Sequence, residues 1–449
     1  MNHATVFSKN KFVVRIVTLI VFINFMIPPQ VISASQANLK SFSRNAASSK
    51  ALAVAVKETT PSRIPESFFS DRKDESRGST KGPGSRAWND GEKIVAFDGV
   101  AQDYFGYAVA ISGDTAVVGM PQDDDNGINS GSAYIYTKTG DQWLYSQKIK
   151  EGVTQDFFGR AVAIDGDTIV VGAPLEDENG SKAGAAYIFK KQVNGLWIKV
   201  QKITASDGEA EDEFGVSVSI SGDNVVVGAH FYSDSYLRCG AAYVFKKNGD
   251  TWAQVDKLLA PDRAEADYFG ESVSISQDTV IVGAHRDDDN GLESGSAYIF
   301  VKNASSGLWP LQQKVVPADG ATNDAFGSAV SVYQDTAIIG AHLDDDKGED
   351  SGSAYVYKRN GNSWSFFNKL LALDGAVEDY FGSAVSMSNG SAIVGARYHN
   401  DPELDRGAAY IFDEGLNWTE TKELLAGDGA KDDYFGWSVG ISDNVTIVG

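Results

Sequence analysis

Carboxylates occupy the positions where this sequence has most scope for chemistry. Three loops read Asp123-Asp124-Asp125-Asn126-Gly127, Asp287-Asp288-Asp289-Asn290-Gly291 and Asp344-Asp345-Asp346-Lys347-Gly348. Clustered acids closing on a glycine suit a calcium ion, which takes about six to eight oxygen ligands. Setting that glycine at the sixth position of such a loop puts Gln122, Arg286 and Leu343 at the first, and neither Arg nor Leu can ligate calcium. Solvated turn chemistry is the favoured expectation, with calcium at Asp287 and Asp289 as the alternative in another loop geometry. A second acidic set, Asp103, Asp156, Asp212, Asp267, Asp324, Asp379 and Asp433, stands two residues before a phenylalanine each time. A catalytic group is ordinarily unique and a fold element is copied, so this set is expected to serve the backbone as an Asx-type turn leading into a strand.

His230, His285 and His342 take the place that Pro121 and Pro174 hold elsewhere, with Arg397 in a further copy. They are expected to be partly exposed loop residues, too far apart to share a metal, with a cationic arc on one rim as the alternative. Cys239 is the single cysteine, which rules out an intrachain disulfide, and it is expected to be a small buried side chain. Residues that break the repeated pattern are Tyr232, Arg238, Tyr398 and His399. No nucleophile elbow, phosphate loop or His-Glu-x-x-His pair occurs. Accordingly no catalytic, cofactor-binding or metal-ligating residue is assigned, and the chain is not expected to be an enzyme.

These side chains sit in a repeat. Phe-Gly recurs with its phenylalanine at 105, 158, 214, 269, 326, 381 and 435. Each unit continues with an apolar stretch, a Gly-Asp-type link, a Val-Val-Gly-Ala-type stretch, an acidic loop, a Gly-x-Ala-Tyr stretch and a Trp-led stretch. The tryptophans are Trp88, Trp143, Trp197, Trp252, Trp309, Trp364 and Trp418. Short runs rich in Val, Ile, Tyr and Phe between Gly, Asp and Asn clusters are strands. In the second unit the spacing predicts strands over 161–164, 168–171, 186–189 and 197–203. Short Gly-containing links such as Asp165-Gly166-Asp167 close antiparallel hairpins.

A lone small sheet leaves both faces wet, and seven of them can shield one another around an axis. The expected fold is all-β, a seven-bladed β-propeller of four-stranded antiparallel blades over 88–449, with a β-helix as the rival. The Ala-Tyr strand has six copies, at Tyr134, Tyr187, Tyr243, Tyr298, Tyr355 and Tyr410. The last blade is therefore expected to be incomplete, clasped by an N-terminal strand near Lys93 to Ala96, in a sequence that stops within a unit.

With Phe158-Gly159 and Gly172-Ala173-Pro174 as examples, the unit resembles the FG-GAP repeat of the propeller at the head of integrin α subunits. Phenylalanine would fill the wedge between blades, and glycine would allow close backbone approach. The resemblance implies an extracellular binding or adhesion role toward a protein or glycan partner. Calcium-binding integrin-like repeats carry Asp-x-Asp-x-Asp-Gly between the first two strands, and here that link is too short. The likeness is closer to a short-loop variety, and calcium is not carried over with it.

The first 35 residues place Lys9, Lys11 and Arg15 before an apolar run from Ile16 to Ile27 and small residues around Ser33 to Ser35, the order of a signal peptide. Residues 36–87, rich in Ser, Ala and basic side chains, are expected to be a disordered linker. The net charge of −22 opposes nucleic-acid binding, and no membrane insertion of the propeller is expected. Asn179, Asn303, Asn389, Asn417 and Asn444 begin glycosylation triplets that a eukaryotic host would read in a secreted glycoprotein. The alternatives are a secreted polysaccharide hydrolase or lyase with a channel site, or a structural matrix component.

Overall fold

β-branched and aromatic residues on a two-residue period build the strands, and each strand buries one or both of its faces. The computed structural model describes residues 53–59, 87–88, 91–400 and 405–449. The expected signal peptide, 1–35, lies outside the described residues. Six sheets are four-stranded and antiparallel, each following the chain from first strand to fourth. In the second they are Ala161–Asp165, Thr168–Ala173, Ala185–Lys191 and Trp197–Ile203, within two residues of the spacing-based expectation. One 3-10 turn, Glu414–Leu416, is the only helical element among the described residues. None of their helices is long and apolar enough to cross a membrane.

First strands of successive blades neighbour one another around the ring. Apolar faces pack blade on blade: Val170 and Ile188 of the second meet Val225, Val227 and Tyr243 of the third in one buried cluster. Phe158 is fully buried between Val117 and Ile135 of the first blade and Tyr187 of its own, filling the wedge as expected. At the outer edge, Gln147 joins its blade to the next, accepting the Trp197 N–H at 2.8 Å and donating to the Trp197 carbonyl at 2.8 Å. Gln201 with Trp252 and Gln313 with Trp364 repeat the exchange.

Beside the six complete blades stands a partial seventh sheet that corrects one expectation. Its own repeat contributes Val439–Ser442 and Val445–Val448. The third place, expected to be missing, is taken by Ala53–Thr59, which pairs antiparallel with Val445–Val448 and on its other side with Glu92–Ile94. Part of the segment expected to be a disordered linker is thus a strand. Ala53-Val54-Ala55-Val56 alternates only small and β-branched residues and lacks the Gly-x-Ala-Tyr signature, so its register position, Val54 opposite Val448, falls where other blades place tyrosine. The sheet packs onto the sixth blade through Val439, Ile441 and Val448 and onto the first through Ile447 and Val445. Where it meets the first blade, a Cβ on Gly449 would approach the Gly106 carbonyl oxygen to 2.0 Å, and Ser438 Oγ donates to the same oxygen at 2.7 Å.

Candidate functional site

The loop between second and third strands lies beside the loop that leads into the next blade. Phe157 N–H, for example, donates to the Asn129 carbonyl at 3.1 Å. Each of the seven repeated aspartates accepts the backbone N–H of the residue three positions earlier, as Asp156 does from Val153 at 2.8 Å and Asp379 from Ala376 at 2.8 Å. The backbone role expected of them holds, but the bond closes the preceding loop rather than an Asx turn. Burial raises the carboxyls of Asp212, Asp267 and Asp324 to about 6, and the donated N–H works against that rise.

The residue after each of these aspartates, a tyrosine in four blades (Tyr104, Tyr268, Tyr380 and Tyr434), has φ near +55°. This left-handed kink turns its side chain out of the strand path.

The acidic loops converge on lysines. Lys314 Nζ lies 2.8 Å from Asp262, 2.9 Å from Asp287 and 2.6 Å from Asp289. Lys369 stands at 3.0, 2.8 and 2.7 Å from Asp319, Asp344 and Asp346. Lys148 does the same between Asp98, Asp123 and Asp125. Burial opposes a charged amine at each place, yet the surrounding carboxylates hold all three lysines above their ordinary value. The calcium alternative at Asp287 and Asp289 therefore meets a space where an ammonium already stands. The same loops keep turn chemistry, since Asp125 N–H donates to Asp123 Oδ1 at 2.8 Å.

The pattern-breaking residues divide into two places. In the third blade Lys257 Nζ sits 3.3 Å above the Tyr232 ring and the Arg238 guanidinium 4.6 Å from the Phe231 ring. In the sixth, Tyr398 joins an aromatic cleft while its neighbour His399 is buried beside Asp379. That cleft, a cavity of about 380 Å³, is lined by Tyr104, Tyr107, Tyr398, Tyr434 and Trp437, with Gln122 and Asp433 as polar members. Ring contacts run through it, Tyr398 to Tyr434 at 5.2 Å and Tyr107 to Trp437 at 5.5 Å. Arg397 lies 4.6 Å above Trp437 and Arg160 4.6 Å above Tyr107, so cations back the aromatic wall. A concave aromatic surface with a few polar groups suits stacking on a flat or ring-shaped ligand.

Sequence reasoning missed Tyr107 and Trp437. Both follow a Phe-Gly pair, at a position that other units fill with Arg160, Val216, Glu271, Ser328 and Ser383. Variation at a fixed place in a repeat was the available signal. Glu271, from the same position, pairs with His230 Nδ1 while Glu213 lies 3.1 Å from its Nε2. Burial alone would lower the His230 pKa, but these two carboxylates raise it to about 9. Among the described residues His342 has no carboxylate partner of this kind. Its ring is desolvated by its close surroundings although the residue is partly exposed, which lowers its pKa to about 3, and its Nδ1 is 2.9 Å from Ser328 Oγ. His230 is buried rather than partly exposed as expected, whereas His285 and His342 are partly exposed. Cys239 is free and fully buried, as expected.

A family model described as the FG-GAP repeat matches residues 88–136, 149–189, 197–245, 252–300, 309–357, 364–412 and 418–449. An alignment of 116 positions, covering 23% of this chain, is 34% identical to integrin alpha-11 of Mus musculus and spans only 10% of that protein. A solved structure of a protein from Lactobacillus plantarum shares the fold at 10% identity, with a TM-score of 0.50 over 89% of this chain and 99% of that one. A functionally unknown protein from Desulfotomaculum acetoxidans is 12% identical with a TM-score of 0.47, over 76% and 89%.

Proposed function

From the premise that the chain belongs to the FG-GAP repeat family, we propose that it is a non-catalytic binding module, exported from the cell, whose aromatic cleft and loop rim engage a glycan or protein partner. Counting the partial sheet as a blade makes the platform a seven-bladed ring. One observation carries the reading: five aromatic side chains line a single cavity beside Arg397 and Arg160, on a protein with net charge −22. Aromatic faces in a concave site supply contact area at low conformational cost, which is how sugar rings and aromatic-rich peptides are held. The likeness to an integrin α chain supports the binding role by analogy, and the expected signal peptide supports export.

A catalytic reading would need a nucleophile or an acid-base pair facing the cleft. The carboxylate that lines the cleft, Asp433, instead accepts the Ala430 N–H at 2.7 Å. The test is a glycan array and a panel of extracellular matrix proteins probed with the secreted protein, alongside Trp437→Ala and Tyr398→Ala. Saturable binding that each substitution weakens at least tenfold supports the reading. Turnover of a glycan by the wild type, or binding untouched by both substitutions, overturns it. Sequencing the amino terminus of protein recovered from the medium tests export, and retention of Met1 inside the cell contradicts it.

A further inference from the structure

Five blades set a lysine in the fourth strand opposite the third-strand tyrosine: Lys148, Lys202, Lys257, Lys314 and Lys369. The sixth blade sets Glu423 there, opposite Tyr410. Its loop also departs. The place of Asp344 in the fifth blade, whose carbonyl accepts the Gly352 N–H, belongs to His399, whose carbonyl accepts the Gly407 N–H. Acid and base have changed places while that backbone bond is kept.

A plain exchange would leave a protonated imidazole paired with Glu423, but the geometry is not that of the lysine blades. His399 Nε2 is 3.8 Å from Glu423 Oε1, where Lys369 is 2.8 Å from Asp344. His399 is only 4% exposed, and its Nε2 makes no hydrogen bond. Its other nitrogen, Nδ1, lies 3.0 Å from Asp379 Oδ2. With Nδ1 donating a proton to that carboxylate, Nε2 is the ring nitrogen that faces Glu423 and Asp374. One ligand atom from each of Asp374, His399 and Glu423 falls within 4.8 Å of the others. A carboxylate behind an imidazole whose far nitrogen meets two more carboxylates is the arrangement that orients and strengthens a metal-ligating histidine.

We propose that Asp374, His399 and Glu423 form a site for one divalent first-row transition-metal ion, oriented by Asp379. Imidazole with two carboxylates suits zinc or its neighbours better than calcium, which prefers oxygen alone. Burial disfavours charge on the ring, but Asp379, Asp374 and Glu423 keep its pKa above the usual histidine value, so the ion must displace a proton from Nε2.

The test is calorimetric titration of untagged, chelator-stripped protein with zinc chloride, and separately with calcium chloride. The control is the double variant His399→Asp with Glu423→Lys, which restores the side chains that the fifth blade folds with. The wild type should bind one zinc equivalent more than the variant, calcium should give no comparable heat, and Asp374→Asn should weaken that equivalent at least tenfold. An anomalous zinc peak between His399 Nε2 and Glu423 in crystals would locate it. Equal zinc uptake by wild type and double variant, or none by either, overturns the proposal, the second result assigning the cluster to an imidazolium ion pair.

Discussion

Gly172 of the second blade faces the carbonyl of Gly215 in the third so closely that a Cβ would come within 2.0 Å of its oxygen. Gly119 with Gly159, Gly283 with Gly327 and Gly395 with Gly436 repeat the contact at 2.0, 1.9 and 2.0 Å. The Gly-Ala glycine of one unit and the Phe-Gly glycine of the next are two halves of one joint.

Gly172→Ala is therefore expected to lower stability by about 1–3 kcal/mol, because the opposing atom is backbone and has nowhere to yield. Gly166, at φ +55° with nothing within 4 Å of a Cβ, is the control. Gly166→Asn should be nearly neutral, since Asn tolerates the left-handed region. Urea midpoints for the two variants decide it, and equal losses contradict the interblade joint.

Lys314→Ala removes the cation from among Asp262, Asp287 and Asp289. The Lys314 and Asp287 side chains are 17% and 5% exposed, so the loss should be about 3 kcal/mol in chelator. The variant should then recover part of its thermal midpoint in millimolar calcium, which the wild type should not feel at this site. A thermal melt with and without calcium checks both arms.

His230 gives stability a pH dependence of known sign. Its pKa rises from 6.5 to about 9 on folding, so the folded state holds the proton more tightly. The contribution is fully present below about pH 6.5 and is lost as pH rises through about 9, on the order of 3 kcal/mol in all. Thermal denaturation from pH 6 to 10 should show the decline, and His230→Gln should flatten it.

Ala55→Pro tests the amino-terminal strand. Ala55 pairs with Ile447 on one side and Glu92 on the other, so proline must delete a ladder bond. A loss of roughly 1–3 kcal/mol is expected, along with concentration-dependent association through the bared Val445–Val448 edge. Light scattering coupled to size exclusion detects the second effect. An unchanged elution and scattering profile with unchanged stability contradicts the pairing.

The blades were legible because each repeats the same few steric demands. Phe158 must fill a wedge and Gly172 must admit a carbonyl, so those letters recur wherever the contact recurs. Ala53–Thr59 was not legible, since a strand paired on both sides needs no signature beyond alternation, and its neighbours are basic and serine-rich. At the rim, Tyr398 and His399 stood out by breaking the pattern, but nothing in their spacing showed that one faces the cleft and the other a carboxylate cluster. Nor did the runs of Asp287 to Asp289 reveal their partner, because Lys314 reaches them from a strand more than twenty residues further along. Spacing sets which face of its own strand a side chain takes, but the neighbour it meets across strands is a tertiary property.

Pairing Ala53–Thr59 with Val445–Val448 has a kinetic consequence. Nearly the whole length of chain lies between the two partners, so bringing them together meets the largest loop-closure entropy among the described strand pairs. The other sheets assemble from neighbouring hairpins and can form early and locally. Sealing of the circle is then the slow, final event of folding, and the open form preceding it is the species most vulnerable to proteases and to capture by another copy.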